Sequence, residues 1–257
     1  MKNITVLIII LSLGLLISCS DDSVNSSSKT KYIKGDIGSY WIYENFSVDM
    51  QTGINTDSSF VDSTYISSKV KVLDEDCSVY TTDNYEDDKL SSTTEMYLRE
   101  ENEKIYTHSG FVTNSFNNLP IDMPFDVEEK WIKIADFNDD LWRVYEMDID
   151  TLEIPFIGAK LVGNITVMGS KEGSETISIN GNNHIAQQFR LEIVFTGTII
   201  FNGLPIAFNP ENLVDIWFSE NVGMVRTYEH PSVISLPFIG DMTIDGNDRV
   251  IIRYNTK

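Results

Sequence analysis

From Tyr32 to the C-terminus, apolar and polar residues alternate with a period of two between short polar turns. Lys69-Val70-Lys71-Val72 shows the alternation cleanly, and Tyr40-Trp41-Ile42-Tyr43 has the aromatic and β-branched composition of a strand. Successive side chains of a strand point to opposite faces, so the pattern predicts strands with one buried face. Since no long window has helical spacing, we predict an all-β fold with little or no helix. Its core would be a large, mostly antiparallel curved sheet of roughly twelve strands, shaped as a half-barrel, an open barrel or a sandwich.

Turn signals divide this region into strands. Asn180-Gly181 predicts a tight hairpin turn, because both residues tolerate positive φ. Asp139-Asp140 predicts a turn into a strand over Leu141–Ile154, and Lys171-Glu172-Gly173-Ser174 predicts another turn. The longest predicted strand covers Ile185–Phe201.

The N-terminus carries a targeting signal. Lys2 precedes the apolar run Ile4–Ile17, which is shorter than the ~20 residues that span a bilayer. Leu16-Ile17-Ser18-Cys19 resembles the lipobox of bacterial lipoproteins, whose cysteine is acylated and becomes the mature N-terminus. The resemblance implies a signal peptide over residues 1–18 and an acylated, palmitate-bearing Cys19. An ordinary signal peptide, or an uncleaved anchor with a chance cysteine, is the alternative.

The residues after Cys19 indicate the location. Ser20 replaces the aspartate that retains some lipoproteins in the inner membrane, and Ser20-Asp21-Asp22 resembles the acidic export tag of Bacteroidota surface lipoproteins. We therefore expect a lipid-anchored outer-membrane protein on the periplasmic or the cell-surface face, with the surface favoured. An acidic, solvated tether would give the same three residues. Residues 19–31 form the acylated tether, and residues 32–257 are predicted to form a single all-β domain.

Charge and cysteine content restrict the partners. The formal net charge is −20, so the chain repels phosphate backbones, and we expect no nucleic-acid partner. Apart from Cys19 the only cysteine is Cys77, which has no disulfide partner and lies beside acidic residues. Such a residue is predicted to be a buried small hydrophobe rather than a catalytic thiol.

No motif predicts a metal, a cofactor or a catalytic group. The histidines lie in separate segments, at His108, His184 and His230. Asp136, Asn138 and Asp140 have the spacing of the first ligands of a calcium loop, but Leu141 stands where that loop requires glycine. We therefore predict no catalytic residue, no metal, no cofactor and no enzymatic activity. A hydrolase built from dispersed carboxylates stays open as a third hypothesis.

Apolar residues flank proline in four connections. Leu152–Gly158 recurs as Ile234–Gly240, and Asn118–Ile121 recurs as Gly203–Ile206. Such connections either fold inward as plugs or line a mouth that admits a hydrophobic ligand. The candidate ligand-binding residues are Leu119, Ile121, Phe125, Phe156, Ile157, Leu204, Ile206, Phe238 and Ile239.

Two further segments carry a family resemblance. They are Gly38-Ser39-Tyr40-Trp41-Ile42-Tyr43 and Trp217-Phe218-Ser219-Glu220-Asn221-Val222-Gly223-Met224-Val225. With the apolar proline connection before Trp131, they resemble uncharacterised β-rich envelope lipoproteins related to the lipoprotein-localisation factors. The resemblance implies a half-barrel with an apolar concavity and carries over no catalytic residue.

The first functional hypothesis is a non-catalytic envelope lipoprotein that binds a lipid or other hydrophobic small molecule in that concavity. The alternative is a structural scaffold or a surface module that binds glycans. In a glycan-binding module, four rings would be the stacking platforms: Trp41, Trp131, Trp142 and Trp217. The membrane is the expected partner through the N-terminal lipid, and the sequence indicates no particular protein partner.

Overall fold

The structure is a computed structural model that describes residues 32–86, 89–110, 127–154, 158–236 and 240–257. All fifteen elements whose bounds it gives are β-strands, which confirms the predicted all-β class. They are β1 Tyr40–Asp49, β2 Gly53–Val72, β3 Glu75–Glu86, β4 Lys89–Glu101, β5 Lys104–His108, β6 Trp131–Asp136, β7 Leu141–Ile154, β8 Ala159–Ile179, β9 Asn182–Phe201, β10 Leu204–Phe208, β11 Glu211–Ser219, β12 Gly223–Glu229, β13 Ser232–Leu236, β14 Gly240–Ile244 and β15 Gly246–Asn255.

Antiparallel pairing joins twelve of the strands into one path, in the order β6-β5-β4-β3-β2-β1-β15-β12-β11-β9-β8-β7, and β10 pairs with β9. The two edges of this curved sheet, β6 and β7, are consecutive in the chain and meet at residues 137–140. The Trp142 indole N–H donates to the Lys133 carbonyl oxygen at 2.9 Å across this junction. The sheet is therefore nearly closed, like a barrel with one seam.

The interior of the curved sheet holds the core. On β1 the buried side chains alternate as Trp41, Tyr43 and Asn45, as the period of two predicts. Phe189 occupies the centre of an aromatic cluster, with ring centroids 4.8 Å from Phe137 and 6.3 Å from Phe218. The β7–β9 part of the interior is filled by fully buried side chains, including Ile154, Leu161, Ile165, Phe189, Leu191 and Ile199. This part of the interior is packed and apolar.

Several local predictions are confirmed and one is wrong. Asn180 and Gly181 have φ of 52° and 77° and join β8 to β9, as predicted. The predicted strand Leu141–Ile154 is β7. The predicted turn at Lys171–Ser174 is wrong, since β8 runs through it and the register shifts there against β9. Pairing with the 20-residue β9 absorbs one extra residue of β8 as a bulge, which overrides the local turn preference.

Antiparallel order gives the sheet two distinct ends. At one, the tether end, the chain enters at Tyr32, whose ring stacks on Phe137 at 3.7 Å. The backbone N–H groups of Tyr32 and Ile33 both donate to Glu100 Oε2, at 2.8 and 2.9 Å. The β4–β5, β6–β7, β8–β9 and β11–β12 turns lie at this end. The opposite end, the far end, receives the β1–β2, β5–β6, β7–β8 and β9–β10 connections.

Three of the apolar proline connections therefore run between strand ends at the far end: they join β5 to β6, β7 to β8 and β9 to β10. The fourth belongs to the β13–β14 hairpin, which follows the far end of β12. Leu204–Ile206 was predicted as a connection but is part of β10. Pro205 is tolerated there because β10 pairs only with β9. In the β13–β14 hairpin Ile234 is buried against the core.

Candidate functional site

A concavity of about 750 Å³ lies in the curved sheet towards the far end, and we call it the far-end concavity. Strands on both sides of β1 contribute its walls, because neighbouring strands place equivalent side chains on the same face. The lining is mixed, with polar side chains in the majority. The lining residues are Asn45, Phe60, Asp62, Thr82, Asn84, Thr94, Glu95, Met96, Tyr97, Thr107, His108, Gly110, Glu229, Asn247 and Arg249.

An ion pair forms the base of the far-end concavity. Arg249 Nε and Nη2 donate to Asp62 Oδ2 and Oδ1, both at 2.7 Å. Arg249 Nη2 also donates to Thr64 Oγ1 at 2.7 Å, and the Asn45 side-chain amide donates to Asp62 Oδ2 at 2.8 Å. Only 3% of the Asp62 side chain and 13% of the Arg249 side chain are exposed. Both charges are therefore satisfied inside the protein.

The Tyr43 ring covers one face of the Arg249 guanidinium. The Arg249 guanidinium carbon lies 3.5 Å from the centroid of the Tyr43 ring. The Tyr43 hydroxyl donates to the Met224 carbonyl oxygen at 2.7 Å, so its ring position is fixed. Burial raises the pKa of Tyr43 to about 12, which keeps this hydroxyl protonated as a donor.

The wall above this base carries a carboxylate that is not part of an ion pair. Glu229 ends β12, and no hydrogen bond or ion pair reaches its carboxylate from the residues that the structure describes. Solvent reaches this side chain through the concavity, but the surrounding protein removes enough water to raise its pKa above the ordinary value of 4.5. Glu95 pairs across the strands with Thr81, so its side chain lies on the opposite face of β4 from Thr94 and Met96, where it accepts a hydrogen bond from the Tyr97 hydroxyl at 3.2 Å.

Histidine and metal chemistry have little support in this concavity. The His108 ring contacts the rings of Tyr97 and Trp131 edge-on, with centroids 6.1 and 6.3 Å apart. The Gly110 N–H donates to His108 Nδ1 at 3.4 Å. No group of three or more potential metal ligands occurs in the described part of the chain. Asp136, the first residue of the calcium-like spacing, is bound within the protein. Its buried carboxylate accepts hydrogen bonds from Lys133 Nζ at 2.5 Å and from the Asn138 N–H at 3.0 Å.

A second cavity of about 730 Å³ lies at the tether end. Its charged groups mostly pair with one another: Lys69 Nζ lies 2.7 Å from Asp36 Oδ1, and Lys71 Nζ lies 4.0 Å from Asp76 Oδ1. Its Glu100 holds the incoming backbone at Tyr32 and Ile33. These contacts dock the start of the domain, so we take the far-end concavity as the candidate site.

Comparison with known proteins shows similarity of fold only. No protein-family profile matches the chain, and no curated protein matches its sequence. A provisionally assigned lipoprotein of Parabacteroides distasonis has a TM-score of 0.50 at 10% identity, over 88% of this chain and 99% of that chain. A provisionally assigned exported protein of Bacteroides fragilis, described as having a YmcC-like fold, has a TM-score of 0.47 at 11% identity, with coverage of 88% and 99%. The chain shares the all-β fold of the Parabacteroides protein.

Two of the residues predicted to bind a ligand are described. Leu204 is 62% exposed on β10, and Ile206 on the same strand is half-buried. Neither lines the far-end concavity. The remaining predicted residues lie outside the described part of the chain, as does the predicted lipidation residue: Leu119, Ile121, Phe125, Phe156, Ile157, Phe238, Ile239 and Cys19.

The residues that form the base of the concavity are not among those predicted from the sequence. Asp62 lies two and four residues before Thr64 and Ile66, which are buried, so the three side chains point to the same face of β2. The alternation in the sequence therefore indicates that Asp62 faces inward. Arg249 likewise precedes buried Ile251 by two residues. A carboxylate and a guanidinium at inward positions of different strands signal a buried pair, since a lone buried charge is costly.

Proposed function

We propose that this chain is a non-catalytic, lipid-anchored lipoprotein of the bacterial outer membrane. In this proposal, the far-end concavity binds an amphipathic or hydrophobic molecule. The lipobox-like sequence at Leu16–Cys19 supports the anchor, and the fold shared with the Parabacteroides protein is consistent with it. No helix in the described residues is long and apolar enough to cross a bilayer.

One observation carries the binding proposal: the far-end concavity lies at the end from which the apolar proline connections leave. Its base is polar, at Asp62 and Arg249, and Phe60 and Met96 add apolar wall. An amphipathic molecule matches this arrangement, because it could place its polar head beside polar groups of the concavity and its chain beside these apolar residues. Tyr32, which follows the predicted tether, lies at the opposite end, so in this proposal the concavity faces away from the membrane.

The absence of catalysis is part of the proposal. Asp62, the most buried acid of the concavity, already accepts from Asn45 and Arg249, and a carboxylate held in this way is a poor acid or base. The glycan-binding alternative has less support, because the rings of Trp41, Trp142 and Trp217 are buried and cannot stack on a sugar. Trp131 is half-buried, and its indole N–H donates to the Val72 carbonyl oxygen at 3.2 Å.

The anchor is tested by metabolic labelling with radioactive palmitate. We expect label in the full-length protein and none in the Cys19→Ser variant, which should leave the outer-membrane fraction. Incorporation into the variant, or an unlabelled wild type, would contradict lipidation.

The binding proposal is tested by native mass spectrometry and solvent extraction of the full-length protein purified in mild detergent. We expect a co-purified amphipathic molecule. The Thr94→Trp variant should lose it, because Thr94 lines the concavity and an indole ring there would occupy the space. Thr93→Trp is the matched control, since Thr93 lies outside the lining and bonds to Asp83. An unoccupied wild type, or equal occupancy in both variants, would contradict the proposal.

A further inference from the structure

The charges that line the far-end concavity do not balance. Among the described lining residues, Arg249 carries the positive charge on the concave face of the sheet. Two lining side chains on that face can carry a negative charge, Asp62 and Glu229. The side chains of Glu95, Tyr97 and His108 lie on the opposite face, because strand side chains alternate and their neighbours Thr94, Met96 and Thr107 face inward. The concavity is therefore net negative, and so is the whole chain, at −20.

The charge of Arg249 is already neutralised inside the protein. Its Nε and Nη2 atoms donate to Asp62 and Thr64, and the Tyr43 ring covers one face of the guanidinium at 3.5 Å. If Arg249 turned towards an anionic ligand, the carboxylate of Asp62 would stay buried without its counter-charge, which is strongly unfavourable. An anionic headgroup would thus meet the Glu229 carboxylate, with the charge of Arg249 already offset by Asp62.

Glu229 is in the opposite situation. Its carboxylate has no partner among the described residues, and it lines the same concavity as Phe60 and Met96. An ammonium group beside it would form a charge-assisted hydrogen bond and replace hydration that the surrounding protein removes.

We infer that the far-end concavity selects amphipathic molecules with a cationic, ammonium-type headgroup, which pairs with Glu229. This inference rests on the proposed function and names the class of ligand. The Asp62–Arg249 ion pair at the base of the concavity does not take part in the recognition, because its two charges neutralise each other.

The test compares three amphiphiles that share a decyl chain: decylammonium, decanoate and decyl glucoside. Isothermal titration calorimetry with the full-length protein, below the micelle concentration of each probe, should give at least about tenfold tighter binding of decylammonium. Glu229→Gln should remove most of that preference, because the amide keeps the shape and loses the charge. Glu211→Gln is the matched control for overall charge, since Glu211 is exposed on β11 and does not line the concavity.

A pH series provides a second measurement that needs no variant. The preference for decylammonium should weaken as pH falls through the raised pKa of Glu229. The other charged side chains on the concave face are Asp62 and Arg249, which neutralise each other. The side chains of Glu95, Tyr97 and His108 lie on the opposite face. The series is repeated in His108→Gln as a control, and the weakening should persist.

The outcomes separate this inference from the proposed function. Equal affinity for the three probes, or an unchanged preference in Glu229→Gln, would overturn the inference and leave ligand binding standing. Failure of every decyl probe to bind would overturn the proposed function and the inference with it. Loss of the preference in Glu211→Gln as well would show that net charge alone attracts the ammonium, and would also overturn the inference.

Discussion

The carboxylate of Asp62 and the guanidinium of Arg249 form a two-point ion pair, with both N–O distances at 2.7 Å, across a sequence separation of 187 residues. β1 lies between the two strands that carry them, with Tyr43 opposite Asp62 and Asn45 opposite Arg249. The pair therefore spans β1 and connects β2 to β15, the last strand of the chain.

Breaking this pair from one side should be costly. We expect Asp62→Ala to lower the free energy of unfolding by about 3–5 kcal/mol, because the Arg249 charge stays buried without a partner. Arg143→Ala is the control: its pair with Glu146 is exposed on both sides, and its loss should cost less than about 1 kcal/mol. Urea denaturation measures both values. Equal costs would show that Arg249 finds water or another acceptor.

The stability of the protein should fall in acid through Asp215. Burial alone would raise the pKa of Asp215, but hydrogen bonds from Arg190 and His230 outweigh it and hold the pKa below its ordinary value of 3.8. A pKa lowered by folding stabilises the protein above the unfolded value, and that stabilisation is lost as pH falls through the folded value. We measure the free energy of unfolding in urea at about pH 5 and at about pH 2.5. Between these two pH values it should fall by more in the wild type than in Asp215→Asn. Equal losses would contradict this role.

Gly169 should be intolerant of any side chain. An added Cβ would lie 2.2 Å from the Trp142 ring, which is buried and donates to Lys133. We expect Gly169→Ala to cost about 1–3 kcal/mol and to change the near-ultraviolet circular dichroism, as the indole ring must move. Gly173→Ala on the same strand meets nothing within 4 Å and should change stability by less than about 0.5 kcal/mol. Similar effects for the two substitutions would contradict the packing of Trp142 against β8.

Cys77 should be a poor nucleophile in the folded protein. Burial, followed by the nearby Asp76 carboxylate, raises the pKa of its thiol, and the Sγ atom lies 3.5 Å from the Val70 carbonyl oxygen. In the Cys19→Ser variant, Cys77 is the only thiol. Its reaction with a disulfide reagent at pH 7.5 should be at least about a hundredfold slower than in urea. A reaction as fast in buffer as in urea would mean that the thiol is accessible.

The sequence by itself determined the local features of this fold. Strand character follows from side-chain parity, which is a property of neighbouring residues, and Leu141–Ile154 was accordingly predicted to its full length. The turn at Asn180-Gly181 is equally local, because it depends on which residues tolerate positive φ. The acylation signal at Cys19 is likewise a short linear pattern, and it stays a prediction.

Tertiary structure decided the features that depend on which strands become neighbours. Lys171–Ser174 has turn chemistry, yet pairing with β9 keeps β8 continuous, because a long ladder of hydrogen bonds outweighs a local preference. Asp62 and Arg249 meet only because β1 pairs with both β2 and β15. The polar base of the far-end concavity follows from that pairing. Contacts across such separations are set by the closure of the whole sheet, which no local window of sequence contains.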